Sequence, residues 1–346
     1  MGEPDLVILM EMKRSGSPML LFGNLDLSAL HSILWKGLHL EGPGKPVVYN
    51  PECDLRALML RQLEQIPYVK DLVKRLRRSR DMRRICGYDR KVPTEAHFSQ
   101  MKKRIGVEGF RAIEGWLRHE ALRLRESQPL SAIGLVQAAC IDGTDLPAWS
   151  SRDPHDTSRG LGDPDARLGR GKKGFILGYQ SLFLVDVEGF PLGHVEASAN
   201  VNEKKLVEPL LDRLLGEDIE VELIVGDSQF ESSQVFDALQ ARKIGNIIAW
   251  RRLKGRENPQ DVLSVKDRID VEGPEHLRAV YKRLRAKAES LNGRVKARLA
   301  YSRLTWQGLQ SACIHTCLVF CVVYAVAIVA FLVGKPELCY SIAYFA

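Results

Sequence analysis

With 346 residues, 45% hydrophobic and 27% charged, the chain is long enough for a sizeable core and two domains, and its composition excludes a disordered or fibrous protein. The formal net charge of +7 points to a polyanionic partner, because Lys and Arg set against phosphates gain by releasing counterions. Seven cysteines without a Cys-x-x-Cys pair argue against a disulfide framework or a zinc knuckle and imply a reducing, cytoplasmic setting.

In chain order, Met1 to Met12 is short, acidic and lacks a cleavable apolar core, so no signal peptide is expected. From about Leu25 to Glu126 apolar residues recur at three-to-four spacing, in LRALMLRQLEQIPYVKDLVKRL and again in GFRAIEGWLRHEALRL, which predicts helices. Pro93-Thr94-Glu95 separates the two runs, with Thr94 as N-cap, and Gln128-Pro129 closes the region. Residues 1–130 are therefore expected to be all-helical. Between Lys70 and Lys91 ten basic residues stand against three acids. The run KRLRRSRDMRR sets Arg75, Arg77, Arg78, Arg83 and Arg84 on a helix-compatible patch; its plain reading is a solvated face, and its functional reading is a nucleic-acid interface.

A different rhythm begins at Leu135. LVQAACID is a short apolar run ending in an acid, and FILGYQSLFLVDVEGFPLGHVEAS holds two β-rich runs joined at Val187-Glu188-Gly189, read as a hairpin. VELIVGD is a second buried strand ending in an acid; a helix capped by Ser232 and the strand NIIAW follow, then a long basic helix. The order strand, hairpin, helix, strand, helix, strand, helix predicts a mixed α/β sheet flanked by helices over residues 131–346. Between the first strand and the hairpin, SSRDPHDTSRGLGDPDARLGRGKKG is too polar for core and reads as a long functional loop. Its Asp163 and Asp165 read as turn formers, and Arg167, Arg170, Lys172 and Lys173 as candidate phosphate clamps. Trp149 and Trp306 could stack on a base, against a plain reading as packing residues. Near the far end, LVFCVVYAVAIVAFLV approaches the length that spans a bilayer, yet it reads as a helix buried in the α/β core, and no membrane partner is expected. Cys313, Cys317 and Cys321 recur on that helix beside His315 and read as buried thiols rather than as a metal face.

Two predicted strands end in acids, Asp142 and Asp227, and in open α/β sheets the carboxyl ends of strands face the ligand crevice. Taken singly, each is an ordinary turn residue or cap. Asp145 competes with Asp142 but is expected beyond a turn at Gly143. The third acid is conspicuous: from Arg278 to Arg303 nine Lys or Arg surround a single carboxylate, Glu289. On a helix Val280, Leu284, Ala288, Leu291, Val295 and Leu299 form one stripe for packing, while Arg285, Glu289, Asn292 and Lys296 form a second. Three carboxylates suit a two-metal site, because hard Mg²⁺ ions take oxygen ligands, and the flanking Arg285 and Lys296 could grip phosphates.

IDGTDLPAW, then GDSQF, then the Arg-x3-Glu-x6-Lys spacing of RAKAESLNGRVK together resemble the DDE transposases of bacterial and archaeal insertion sequences, and VPTEAHFSQMKKRIG, DPDARLG, KKGFILGY and RLTWQGL extend the likeness over most of the chain. The resemblance implies an RNase H-like catalytic core behind a helical region that binds the terminal inverted repeats. It implies Asp142, Asp227 and Glu289 as catalytic ligands of two Mg²⁺ ions, with Mn²⁺ able to substitute. It further implies strand cleavage and transfer into target DNA by a homodimer on double-stranded DNA in the cytoplasm, at the nucleoid. Arg285 and Lys296 match the arginine and lysine of the family's Tyr-Arg-Glu-Lys signature; the tyrosine departs, since Lys282 stands at its place and Tyr281 is one residue off. A catalytically inactive DNA-binding relative, or an RNase H-like nuclease without strand transfer, are the alternative readings.

Overall fold

The computed structural model describes residues 17–36, 49–127, 138–171, 174–248 and 275–346. Among the described residues six α-helices come first: α1 (Ser17–Asn24), α2 (His31–Lys36), α3 (Pro51–Leu63), α4 (Val69–Arg78), α5 (Arg80–Cys86) and α6 (Glu95–Ser127). Their ends follow local chemistry. Pro51, with its φ fixed by the ring, opens α3 behind Asn50, whose side chain accepts from the Glu52 N–H at 2.9 Å. The run read as one basic helix is broken at Ser79, which ends α4 in extended geometry and whose hydroxyl accepts from the Met82 N–H at the start of α5. Gly87, at φ 86°, terminates α5 in the left-handed conformation that costs glycine least. Thr94 caps α6 as expected, accepting from the His97 N–H at 3.3 Å, and Gly106 (φ 65°, ψ 179°) interrupts the helical path within it.

Six strands and five helices complete the description: β1 (Ala138–Pro147), β2 (Arg167–Gly171), β3 (Gly174–Asp186), β4 (Pro191–Ser198), α7 (Lys204–Gly216), β5 (Leu223–Gly226), α8 (Ser233–Ala241), β6 (Gly245–Ile248), α9 (Glu275–Arg298), α10 (Leu309–Leu332) and α11 (Ile342–Phe345). The chain divides into two compact units, a helical one of Met1–Ala132, Val295–Thr305 and Gln310–Ala346, and a sheet one of Ile133–Arg294 with Trp306–Leu309.

In the sheet unit the strand order is β2-β3-β1-β5-β6, with β4 also pairing β3. β3 runs antiparallel to β1, β2 and β4, whereas β1, β5 and β6 are mutually parallel neighbours. A meander followed by two parallel strands on the far side of its first strand is the RNase H-like arrangement. The β3–β4 turn lies at Val187–Gly189 as read from sequence, held by the Asp186 carboxylate, which accepts from the Glu188 and Phe190 N–H groups at 2.9 Å. Ser232 caps α8, accepting from the Val235 N–H. One face of the sheet is apolar: Ala139, Ile141, Leu182, Leu184 and Ile224 pack on Val207, Leu210 and Leu211 of α7 and on Val235 and Leu239 of α8. Each of the Val, Leu and Ile side chains contributes roughly 1.5–3 kcal/mol by leaving water.

Two expectations are corrected here. The polar segment after β1 contains a strand, β2, hidden from an alternation test because Gly169 and Gly171 occupy one face; a Cβ on Gly169 would collide with the Ala199 carbonyl. The second concerns Gly143, which makes no turn. It pairs with Leu182 inside a strand that runs on to Pro147, and it is glycine because a Cβ there would lie 2.5 Å from Glu203 Oε1.

In the helical unit, the buried Asp54 of α3 accepts from the Tyr88 hydroxyl at 2.5 Å and bonds His97 Nε2 of α6 at 2.7 Å, tying three stretches together. Among the described residues one helix, α10, is long and apolar enough to cross a membrane, and every side chain from Ala312 to Phe331 is buried. It belongs to the helical unit, where the Tyr324 hydroxyl meets Glu114 of α6 at 3.5 Å. His315 is a satisfied core histidine, with Nε2 donating to the Tyr301 carbonyl at 2.9 Å and Nδ1 facing the Gln62 amide at 3.4 Å. Cys313, Cys317 and Cys321 are buried thiols, as read.

Candidate active site

The parallel register decides where the first two acids meet. Ala138, Ala139 and Cys140 of β1 pair with Leu223, Ile224 and Val225 of β5. Carried two residues further, the same offset sets Asp142 beside Asp227, both past the last paired residue and at the carboxyl side of the parallel strands. Alternation then fixes the face. Ile141 lies in the apolar core under α7 and α8, so Asp142 projects to the opposite side, with Cys140 and Thr144. Asp227 is steadied by its own turn, its carboxylate accepting from the Gln229 N–H at 2.9 Å.

α9 brings the third acid. Leu284, Ala288 and Leu291 form its buried stripe, and Arg285 and Glu289, one turn apart, lie beside it. Arg285 is where the three acids converge: Nη1 is 3.7 Å from Asp142 Oδ1 and 3.8 Å from Asp227 Oδ2, and Nη2 is 3.2 Å from Glu289 Oε1. Exposure grades across the group, with side chains 2% exposed at Asp142, 24% at Asp227 and 65% at Glu289, so the cluster opens to solvent on the glutamate side. Burial disfavours the Arg285 charge, yet Cys140, Asp142, Asp227 and Tyr281 around it hold its pKa above the ordinary arginine value. Burial pushes the neighbouring Cys140 thiol up to about 12, which keeps it neutral.

The donor set is chemically apt for divalent cations. Three carboxylates, one within β1, one just past β5 and one on a helix, offer hard oxygen ligands without a closed protein cage, the kind of site that suits Mg²⁺ or Mn²⁺, and their shared proximity to one guanidinium shows that a single cation can face all three.

Asp145, the rival first ligand, is three residues from Asp142 and so on the other face of the strand, its carboxylate against Gly171. Asp163 accepts from the Ala166 N–H at 3.3 Å, in keeping with the turn-former reading, and from the Tyr179 hydroxyl at 2.6 Å; Asp165 instead anchors the loop at a distance, accepting from the Leu309 N–H at 3.1 Å. Tyr281 stands one helical turn before Arg285 and acts on it electrostatically, while Lys282 is exposed; the offset tyrosine is thus on the arginine's side of the helix. Asn292 is buried further along α9, and Lys296, partly buried, counts with the helical unit. Lys172 and Lys173 lie outside the described residues. Arg170 and Trp149 are exposed, and Arg167 and Trp306 are partly buried. In the helical unit Arg75, Arg77, Arg78 and Arg84 are exposed, but Arg83 is committed, its Nη1 donating to the Leu76 and Arg77 carbonyls at 2.8 and 2.9 Å where α4 ends.

An RNase H-like sheet with two carboxylates side by side on neighbouring parallel strands and a third on a flanking helix is an arrangement suited to phosphoryl transfer on nucleic acid. Residues 134–324, more than half of the chain, match the family model described as transposase DDE domain, and residues 20–104 match a second, described as transposase domain (DUF772). The chain belongs to the DDE transposase family and is a DNA transposase. No curated protein matches it in sequence. Among solved structures it is similar to the Mos1 transposase paired-end complex with left transposon end, at 14% identity and TM-score 0.23 over 76% of this chain and 82% of that one. It is also similar to the Mos1 mariner paired-end complex with Mn, at 12% identity and TM-score 0.21 over 78% and 83% of the two chains. Scores so far below one half do not establish a shared fold, and the family assignment rests on the family models.

Proposed function

We propose that Asp142, Asp227 and Glu289 are the ligands of two divalent ions, Mg²⁺ with Mn²⁺ as a substitute, and that the enzyme cuts DNA at the ends of an insertion sequence and joins them to target DNA. The observation that carries this is the convergence of the three acids, from three separate elements, on the single Arg285 guanidinium. The chemistry supplied by two bound ions is activation of the attacking oxygen and stabilisation of the leaving one in an in-line displacement. The chain's own part is placement: β1 and β5 hold two carboxylates rigidly, and α9 sets the third on the open side, where a DNA strand can approach. No covalent protein intermediate is needed, since positioning and charge stabilisation carry most of such a reaction.

The exposed Arg75, Arg77, Arg78 and Arg84 support a second surface for the terminal inverted repeats, with Arg170 and Lys296 as further phosphate contacts. Two ends must be joined to one target, which favours a homodimer on the DNA, working in the cytoplasm at the nucleoid. The test uses a supercoiled plasmid carrying the DNA that flanks the gene, with Mg²⁺ or EDTA, comparing wild type with Glu289→Gln. Metal-dependent cleavage and joined products that vanish in the variant while DNA binding persists support the reading. Cleavage without joining would make the protein a nuclease, and identical behaviour of both proteins would leave only a DNA-binding module.

A further inference from the structure

Three carboxylates brought within reach of one another repel, and the repulsion is worst for Asp142, whose side chain is only 2% exposed. Arg285 answers that repulsion, but in a particular way. Its Nη1 stands 3.7 and 3.8 Å from the two aspartates, beyond the roughly 2.7–2.9 Å of a charge-assisted hydrogen bond. That nitrogen is buried and has no hydrogen-bond partner. The guanidinium therefore neutralises the aspartates without being bonded to them; its hydrogen-bond partners in the cluster are Glu289, at 3.2 Å, and the Cys140 sulfur. A cation kept by charge and not by directed bonds is easily displaced by another cation.

We propose that Arg285 is the resident counter-ion of the triad: it occupies the space between the carboxylates in the metal-free protein, a divalent cation competes with it for the same oxygens, and metal binding sets it free. The inference rests on the metal-site reading of Asp142, Asp227 and Glu289. The buried Leu284 and Ala288 on either side fix the helix, so only the side chain moves, and its open direction is toward the exposed Glu289. Freed there, the guanidinium lies at the mouth of the site as a planar, bidentate donor for a substrate phosphate. Arg285 is on this account a positioning residue in the empty enzyme and a substrate contact in the loaded one. Exchange of roles keeps the guanidinium and the metal cation, both positive, from crowding the same oxygens.

A merely structural salt bridge and a competing counter-ion predict opposite signs. If Arg285 only organises the acids, its removal weakens metal binding; if it competes, removal strengthens it. The experiment follows Mn²⁺ binding to the full chain without DNA, through the electron paramagnetic resonance signal of free Mn²⁺, and thermal unfolding in EDTA and in Mn²⁺. Arg285→Gln is expected to bind Mn²⁺ about tenfold more tightly than wild type, the equivalent of losing one charged contact, to unfold at lower temperature in EDTA, and to gain more from Mn²⁺. Unchanged or weaker Mn²⁺ binding in Arg285→Gln overturns the proposal. Should that variant not fold, Arg285→Lys decides in its place: the shorter, single-point cation is expected to compete less and so to leave tighter Mn²⁺ binding than wild type, and equal or weaker binding overturns the proposal. Asp142→Asn separates the two levels. Loss of Mn²⁺ binding there, with no gain in the Arg285 variants, leaves the metal site standing and removes the counter-ion; no Mn²⁺ binding by wild type removes both.

Discussion

Arg83 and Arg84 are neighbours in sequence with different occupations. Arg83 spends its guanidinium on two carbonyls at the end of α4, while Arg84 faces solvent beside the exposed Arg75, Arg77 and Arg78. Arg83→Ala should lower stability by about 1–3 kcal/mol, as for a lost charged hydrogen bond, measured by urea denaturation. Arg84→Ala should leave stability unchanged and weaken DNA binding, with the log–log salt slope shallower by about 0.9 if one phosphate contact is lost. A reversal of these two phenotypes would mean that the patch is read backwards. Sequence alone cannot separate the pair, because the difference lies in which arginine happens to meet a helix terminus. Asp54 makes the complementary point. Nothing in its sequence context, within an ordinary amphipathic helix, announces a buried carboxylate bonded to Tyr88 and His97. Asp54→Ala should cost roughly 3 kcal/mol and broaden no transition, as expected for a buried charge-assisted bond removed from one cooperative unit.

At the scale of elements, the sequence shows the order of strands and helices well and their limits less well. The apolar runs of β1, β3, β5 and β6, the Gly189 turn and the Ser232 and Thr94 caps are all local signals, and each appears where read. β2 was missed for a physical reason: its Gly169 and Gly171 face the protein body, where close approach replaces side-chain packing, so no alternation is left to detect. The turn expected at Gly143 failed likewise, since glycine there serves a neighbouring carboxylate and not a bend. The acids of the candidate site were legible by type and spacing, but their company was not. That Arg285 lies among them depends on the tilt of α9 over the sheet, which no spacing rule contains. Gly169→Ala tests the account of β2. Its Cβ would strike backbone that cannot swing aside, so hydrogen exchange should show β2 amides losing protection while those of β5 and β6 keep theirs.

For the whole molecule, charge and topology set the behaviour. Lys102 of α6 is a partly buried cation whose desolvation, with Arg61 and Lys103 nearby, pulls its pKa down to about 7. The unfolded chain binds that proton more tightly, so this group's penalty on folding is full below about pH 7 and fades as pH rises toward 10.5. Lys102→Met should therefore raise the melting temperature most at pH 6 and least near pH 10, a trend that calorimetry across pH can check. The helical unit is also discontinuous in sequence: it begins before the sheet unit and is completed after it, by Val295–Thr305 and Gln310–Ala346. During synthesis, then, helices α1 to α6 leave the ribosome without α10, and their core stays unfinished while most of the sheet unit is made. The buried surface of α10 arrives only after the sheet strands, so commitment of the helical unit to its native state waits on a late segment, and a nascent protein stalled inside the sheet unit carries a helical region still open to chaperones and proteases.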